Sequence, residues 1–413
     1  MTHHAGTHHA AFAVSWESRG WDRAPSPDSS RRKQLAARGP YQAAVPPLIA
    51  NAQVPLSATL QAEAEDAVRA ITRFDSEVTA VAARRSETGE VKDVEVAPLA
   101  SVLLRTESAS SSEIEGITAG VKALALAAIS DRSGPNAELI NANVTAMQRA
   151  VALSDEISVN AILAAHDALL AGHAYAAPGQ LRTQQVWIGS NAASPHTAEF
   201  VPPHQSRVPA LLEDVIAFAN RGDLPVLAQV AIAHAQFETI HPFNDGNGRT
   251  GRVLVHAMLR RSDVTRRLTL PVSAGLLTDT PAYFRALDSY REGYLEPIIE
   301  QFTAASFRAV RNGRELVDDL EALYQEWSAT LPSRRGSAAR RLLPLLLNQP
   351  AVHVAYVAAS VGVTETAAQR AVDQLESAGI LTRTNTGKRN RVWLALGVID
   401  ALDRFADRVK RRN

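Results

Sequence analysis

Apolar positions recur at three- and four-residue steps over most of this chain, the spacing of helices that bury one face. From residue 56 onward Leu60, Ala64, Ala67, Val68 and Ile71 form one such stripe. Similar patterns predict helices over 99–110, 121–128, 137–154, 161–170 and 208–219. Pro225 suits a first helical turn. The helix it opens carries Leu227, Val230, Ala231, His234, Phe237 and His241 along one side. Helical spacing resumes from Arg249, and 282–307 reads as helix with a break at Pro297. Residues 311–325 read as a charged connecting helix. One stretch departs from this period. Gln185-Val186-Trp187-Ile188-Gly189 and Phe200-Val201-Pro202-Pro203 are short apolar runs around a Gly/Ser/Asn-rich turn, which predicts a hairpin.

Both ends differ from the middle. Residues 1–40 are rich in His, Ser, Arg and Pro with little apolar periodicity, and read as a disordered leader. Near the other end, Val352 to Ala359 predicts a short helix, and Thr364 an N-cap. Ala367, Ala368, Ala371, Val372, Leu375 and Ala378 then line the next helix, which Gly379 closes. Ile380 to Arg383 and Arg391 to Leu394 flank a basic turn over 385–390. This order resembles a winged helix–turn–helix, followed by a basic C-terminal helix. Thr366, Gln369, Arg370 and Asp373 would face outward as a major-groove reader does. Arg383, Lys388, Arg389 and Arg391 would meet phosphates from the wing. Winged helices also bind proteins, and neither element is densely basic.

Composition narrows the class. The 413 residues carry 43 basic and 43 acidic side chains, a formal charge of +0, so nothing draws the whole molecule to nucleic acid. The chain has no cysteine, which removes disulfides, thiolate catalysis and cysteine-ligated zinc together. No stretch reaches the roughly 18 apolar residues of a membrane helix, and no secretory leader pattern is present. A cytoplasmic protein of two or three folded units is the expectation.

The chemistry concentrates in His241-Pro242-Phe243-Asn244-Asp245-Gly246-Asn247-Gly248-Arg249-Thr250-Gly251-Arg252, between one predicted helix and the next. Gly246 and Gly248 let backbone N–H groups approach an anion closely. The following helix aims its N-terminus at the turn, and such an end attracts phosphate. Arg249 and Arg252 stand three apart, on one helical face, where both can fork onto phosphate oxygens. Asp245 offers a hard oxygen to a Mg²⁺ that keeps most of its waters. His241, with an ordinary pKa of about 6.5, can take a proton from an alcohol. Phosphoryl or nucleotidyl transfer fits these parts. A P-loop does not, because no Gly-Lys-Ser or Gly-Lys-Thr follows the glycines.

The segment resembles the signature of the Fic family, His-Pro-Phe-x-(Asp/Glu)-Gly-Asn-Gly-Arg-x-x-Arg, at every defined position. The likeness extends over about 40–310. It implies a mostly α protein, a Fic-type helical core with a β-hairpin flap, beside the C-terminal winged helix–turn–helix. The domain plan is then a 1–40 leader, a 41–310 Fic domain, a 311–337 helical linker and a 338–413 winged module. The implied reaction moves AMP from ATP to a Ser, Thr or Tyr hydroxyl of a protein target. His241 would deprotonate that hydroxyl, and Asp245 would hold Mg²⁺ between the α- and β-phosphates. The backbone at Gly246 and Gly248, with the Asn247 side chain, would form the hole for the α-phosphate. Arg249 would grip the β-phosphate and Arg252 the γ-phosphate, while Phe243 anchors the loop in the core. The Doc branch of the superfamily, which phosphorylates its target, has lysine at the position of Gly248, so AMP transfer is favoured over phosphorylation. Another nucleotide donor, such as UTP, stays open.

Ser111-Ser112-Glu113-Ile114-Glu115-Gly116 matches the family's inhibitory pattern, with Ser111 and Glu115 in the defining places. The resemblance pairs such a glutamate with the second signature arginine, here Arg252. The same residues also fit a local capping box, Ser112-x-x-Glu115. The hairpin resembles the family's flap, on which Ile188 and Gly189 would hold a target segment by main-chain pairing; Trp187 and Ile188 also suit a core under a loop. Two other functions fit the same residues. One is hydrolytic removal of AMP, with Glu115 activating water. The other is a DNA-binding regulator with a self-modifying Fic domain. Self-modification and a homodimer are both compatible with the family, and no membrane partner is expected.

Overall fold

A computed structural model describes residues 6–21, 38–85, 93–129, 134–152, 157–189, 194–334, 336–384 and 391–410. In chain order the strands are β1 (Ser15–Arg19), β2 (Tyr41–Val45), β3 (Ala351–Val352), β4 (Thr382–Arg383) and β5 (Trp393–Leu394). The first helices are α1 (Ala58–Arg85), α2 (Asp93–Ile114), α3 (Val121–Ala127), α4 (Pro135–Ala152), α5 (Val159–Leu169) and α6 (Val208–Ala219). There follow α7 (Val226–Ile240), α8 (Asn247–Arg261), α9 (Val272–Leu277), α10 (Thr280–Arg291) and α11 (Glu296–Thr330). The last are α12 (Ala338–Asn348), α13 (Val354–Val361), α14 (Glu365–Ser377) and α15 (Leu396–Lys410). Among the described residues no helix is long and apolar enough to cross a membrane.

The chain divides into two compact units. Unit one comprises Met1–Val68, Ala146–Asp263 and Thr280–Thr303. Its centre is α7, buried on every side from Leu227 to Ile240. Alanines at 228, 231, 233 and 235 keep that helix slim, so α6 and α8 both pack on it. Gly251 of α8 lies where a Cβ would come within 3.1 Å of Phe237 and 3.2 Å of the His234 ring. β1 and β2 pair antiparallel, Ser15 opposite Val45 and Arg19 opposite Tyr41.

That pairing corrects the expected leader. Residues 6–21 are folded, because Phe12 is fully buried, edge-on to Tyr290, and Glu17 holds Arg207 through two hydrogen bonds. A short apolar run with no helical period is a strand whose partner lies elsewhere in the sequence. The expected hairpin is also reduced. Among the described residues of this stretch, 185–189 and 194–203, Ile188 and Phe200 form one antiparallel bridge, Ile188 N–H donating to the Phe200 carbonyl at 2.8 Å. Trp187 packs edge-on to Trp21, beside the buried cluster of Tyr41, Ala43 and Val201.

Unit two comprises Arg69–Thr145, Val264–Asp279 and Ala304–Asn413. α2 packs on α9, whose N-terminus is capped by the buried Glu107: its carboxylate accepts from the Ser273 N–H at 2.8 Å and from the Ser273 hydroxyl. Asp75 in the same way accepts three successive backbone N–H groups, of Arg266, Arg267 and Leu268. The break expected near Pro297 falls between α10 and α11, with Pro297 in the first turn of α11. No separate linker helix follows, since α11 runs uninterrupted to Thr330. The C-terminal part has the order α12-β3-α13-α14-β4-β5-α15, with its short sheet ordered β3-β5-β4 and antiparallel throughout. Thr364 caps α14 through the Ala367 N–H, as its sequence predicts.

Candidate active site

α7 ends at Ile240, and His241 turns the chain with a left-handed backbone, φ 51° and ψ 62°. A non-glycine residue pays for such a conformation and keeps it only where its surroundings impose it. Arg182 imposes it here. Its Nε donates to the His241 carbonyl at 2.8 Å, its Nη2 to the carbonyls of Ile240 and Pro203, and its Nη1 to that of Gln184. Its own N–H reaches the Pro242 carbonyl at 2.9 Å. Burial lowers the Arg182 pKa to about 10, leaving it a cation at neutral pH. The guanidinium thus caps the C-terminal end of α7, where the helix dipole favours a positive charge. His241 itself is half-buried.

The loop beyond is held from three directions. Phe243 is buried and stacks on His166, with ring centroids 3.7 Å apart and planes 6° from parallel. His166 accepts the Gly179 N–H at Nδ1, so its proton is on Nε2, which donates to the Asp245 carbonyl at 3.0 Å. Burial pushes its pKa down, favouring this neutral form. Asn247 clamps the turn internally: Oδ1 accepts from the Phe243 N–H at 2.8 Å and Nδ2 donates to the Phe243 carbonyl at 3.0 Å. Its side-chain amide therefore shapes the loop, a role the sequence alone does not assign. Gly246 caps α8 at φ 74°, and a Cβ there would sit 3.0 Å from Leu170.

From this turn α8 rises with Arg249 and Arg252 both buried, at 2% exposure each. Asp245 is half-buried; its Oδ1 accepts from the Gly246 N–H at 2.7 Å and lies 3.8 Å from Arg249, and its Oδ2 accepts from the Tyr175 hydroxyl at 3.1 Å. Among the described residues no group of three His, Cys, Asp or Glu could cage a metal. One accessible carboxylate instead suits a Mg²⁺ that arrives with a polyphosphate and keeps its waters. The structure thus brings together His241, Asp245, Gly246, Asn247, Gly248, Arg249 and Arg252 in one turn. Arg182 and His166 escape sequence reading. Their signals are a lone arginine after Gly179 and a lone histidine on an Ala-rich helix, each too common to single out.

Ser111 and Glu115 belong to unit two. Ser111 is fully buried, and Glu115 is the exposed residue that follows α2. The Gly116 N–H donates to the Glu113 carbonyl at 2.9 Å and the Ile117 N–H to that of Ser112 at 3.0 Å, with Gly116 at φ 77°. This is a Schellman closure. It excludes the capping box, because Ser112 lies at a helix C-terminus and the next helix starts only at Val121. In the C-terminal part, Thr366 and Arg370 are exposed as expected. Gln369, however, donates to Asp373 at 2.7 Å and accepts from Arg391 at 2.8 Å, so these three side chains engage one another. Lys388 and Arg389 lie outside the described residues.

A left-handed turn, a helix N-terminus and two buried arginines follow one another in this loop between helices. The chain carries a Fic domain: residues 156–259 match the Fic/DOC family. It is similar to protein adenylyltransferase fic-1 of Caenorhabditis elegans, 30% identical over 148 residues, which are 35% of this chain and 26% of that protein. It is also similar to the probable protein adenylyltransferase aq_aa38 of Aquifex aeolicus, 43% identical over 63 residues, 15% of this chain and 20% of that one. The chain thus spans only a fifth to a quarter of these relatives. A crystal structure of a Fic family protein from Desulfovibrio desulfuricans G20 aligns over 83% of this chain and 98% of that one, at 18% identity and a TM-score of 0.48.

Proposed function

We propose that this protein transfers AMP from ATP to a Ser, Thr or Tyr hydroxyl of a protein target, and that Glu115 restrains the reaction. His241 takes the hydroxyl proton. The oxygen attacks the α-phosphorus, the α–β anhydride bond breaks, and pyrophosphate leaves. The N–H groups of Asn247 and Gly248, at the start of α8, would face the negative charge that develops on the α-phosphate. Arg249 and Arg252 neutralise the departing phosphates. Asp245 would hold Mg²⁺, which withdraws charge from phosphate oxygens when bound. The observation that carries this reading is the backbone of His241, held left-handed by Arg182 at the mouth of a helix with two buried arginines. So many constraints on one imidazole and one helix start fit catalysis by positioning.

Restraint is supported by the way α2 ends. The Glu115, Gly116 and Ile117 N–H groups close that helix on main-chain carbonyls, and Glu115 is exposed at the closure. Paired with Arg252, it would oppose the γ-phosphate and turn ATP into an unproductive pose. Ile188 and Gly189 would dock the target segment; the free edge beyond a single bridge suits main-chain pairing. We read 338–413 as a winged helix on its element order. The mutual bonding of Gln369, Asp373 and Arg391 favours protein over DNA as its partner.

Mass spectrometry of the Glu115→Gly protein after ATP and Mg²⁺ tests the assignment. A gain of one AMP is expected, larger than in wild type by about tenfold and lost by ~10²–10⁴-fold in His241→Ala. Equal labelling of wild type and Glu115→Gly would remove the switch, and equal labelling with and without His241 would remove the enzyme. AMP loss from pre-labelled protein that depends on Glu115 would establish the hydrolytic direction instead.

A further inference from the structure

Within unit two, a cavity of about 400 Å³ lies between α2, α3 and α15. That is inside the range of ~300–1,000 Å³ typical of small-ligand sites. α2 contributes a continuous stripe to its wall, at positions 102, 105, 106, 109, 110 and 113. These follow the three- and four-residue steps of a single helix face. The middle of the cavity is apolar, with Val102 and Ala109 facing Leu124 and Phe405 as further lining.

Its polar groups are unevenly spread: Asp403 and Asp407 of α15 line it as exposed carboxylates, and two further polar ends differ. At the far end Glu113 pairs with Lys410 at 3.2 Å, a neutral couple that joins α2 to α15. At the other end stands Arg105. Its Nη1 donates to the Asn348 carbonyl at 2.9 Å and to Gln349 Oε1 at 2.8 Å, both neutral acceptors. Among the described residues no ion pair joins Arg105 to a carboxylate. Burial lowers its pKa, the cost of withdrawing an uncompensated cation from water. Eight residues of helix separate Arg105 from Glu113, about 12 Å at 1.5 Å per residue. The Arg105 end of the cavity therefore suits the anionic group of a short molecule with an apolar body.

We propose that this cavity binds a small apolar carboxylic acid, its carboxylate paired with Arg105, and that its occupancy resets the end of α2 that carries Glu115. The binding half stands on the cavity and Arg105 alone. The regulatory half rests on the proposed role of Glu115. A ligand filling the stripe up to Glu113 presses on the last turn of α2, two residues before Glu115, and on its tie to Lys410. The last turn of α2 closes on backbone hydrogen bonds from the Glu115, Gly116 and Ile117 N–H groups, and a helix end of this kind opens more readily than the helix interior.

Calorimetric titration of the full chain with 4-phenylbutyrate and with its uncharged amide tests the binding half. Saturable binding of the acid is expected, weakened by roughly tenfold or more for the amide, equivalent to at least about 1.4 kcal/mol. Arg105→Met should weaken the acid to the level of the amide. Ala109→Phe, which fills the apolar middle, should abolish both, and unchanged melting curves would show that each variant is folded. Equal binding of acid and amide, or undiminished binding by both variants, would overturn the site; so would absence of saturation. AMP incorporation then tests the regulatory half. The acid should change the wild-type rate at least about threefold and leave Glu115→Gly unaffected. Binding without any rate change in a wild type that Glu115→Gly does exceed would overturn the coupling while leaving the site. If Glu115→Gly labels no faster than wild type, the inhibitory reading itself has failed, and the calorimetric result still judges the cavity.

Discussion

Gly246 and Gly116 both close a turn with a left-handed backbone, one before α8 and the other after α2, yet they are held very differently. A Cβ on Gly246 would meet Leu170 at 3.0 Å, and the turn around it is bound by Arg182, His166 and Asn247. Around Gly116 nothing lies within 4 Å of such a Cβ, and two backbone hydrogen bonds make the closure. The first turn has one geometry because buried polar groups would go unsatisfied in any other. The second can shift at little cost. That contrast fits the proposed roles of the two turns, one positioning a phosphate and the other carrying a restraint that can be relieved.

The largest test removes the outside clamp. Arg182→Met strips carbonyls of their donor and leaves His241 unsupported, so a loss of about 3 kcal/mol in urea unfolding is expected. AMP incorporation should fall about 10²-fold, as small misplacements of a reacting group do. Unchanged activity in a folded Arg182→Met protein would break the comparison. Next, Gly246→Ala adds left-handed strain and overpacking against Leu170, together about 2.5 kcal/mol, with activity lost in step.

Acidification probes the packing beneath the loop. His234 is fully buried against the Tyr283 hydroxyl at 2.7 Å, and burial, then the nearby Arg252 charge, lowers its pKa to about 3. The folded state keeps it neutral, whereas the unfolded chain protonates near the ordinary value of about 6.5. Its contribution is therefore complete above pH ~6.5 and is lost as pH falls from there toward 3, about 2 kcal/mol by pH 5. Urea midpoints should fall between pH 7.5 and pH 5, and fall less in His234→Gln. The Glu17 carboxyl, lowered to about 2 chiefly by its hydrogen bond to Arg207, begins to lose its contribution only below its ordinary value of 4.5. The smallest effect belongs to the open turn. Gly116→Ala should cost only about 1 kcal/mol, from strain without collision. A loss as large as that of Gly246→Ala would erase the difference between the two turns.

Much of the site was legible without coordinates, because its parts are neighbours in the chain. Helix start, glycine turn and two arginines three apart obey local rules; the helix over 208–219 followed from apolar spacing, and the next from Pro225 together with the apolar stripe behind it. The flap was legible only as two apolar runs. Whether they form a ladder or one bridge depends on what Trp187 packs against.

By itself the sequence determined the Fic likeness carried by 241–252, the mostly helical class and the order of the C-terminal elements, since backbone geometry couples residues a few places apart. Tertiary structure alone decided that Arg182 clamps His241 across 59 positions, that His166 reaches Asp245 across 79, and that β1 finds β2. It also decided that Ser112 ends a helix instead of starting one, and that Arg105 borders a cavity. The physical reason is the same in each case. A buried polar group takes whichever partner the packed chain brings within hydrogen-bond distance, and no local pattern records that distance.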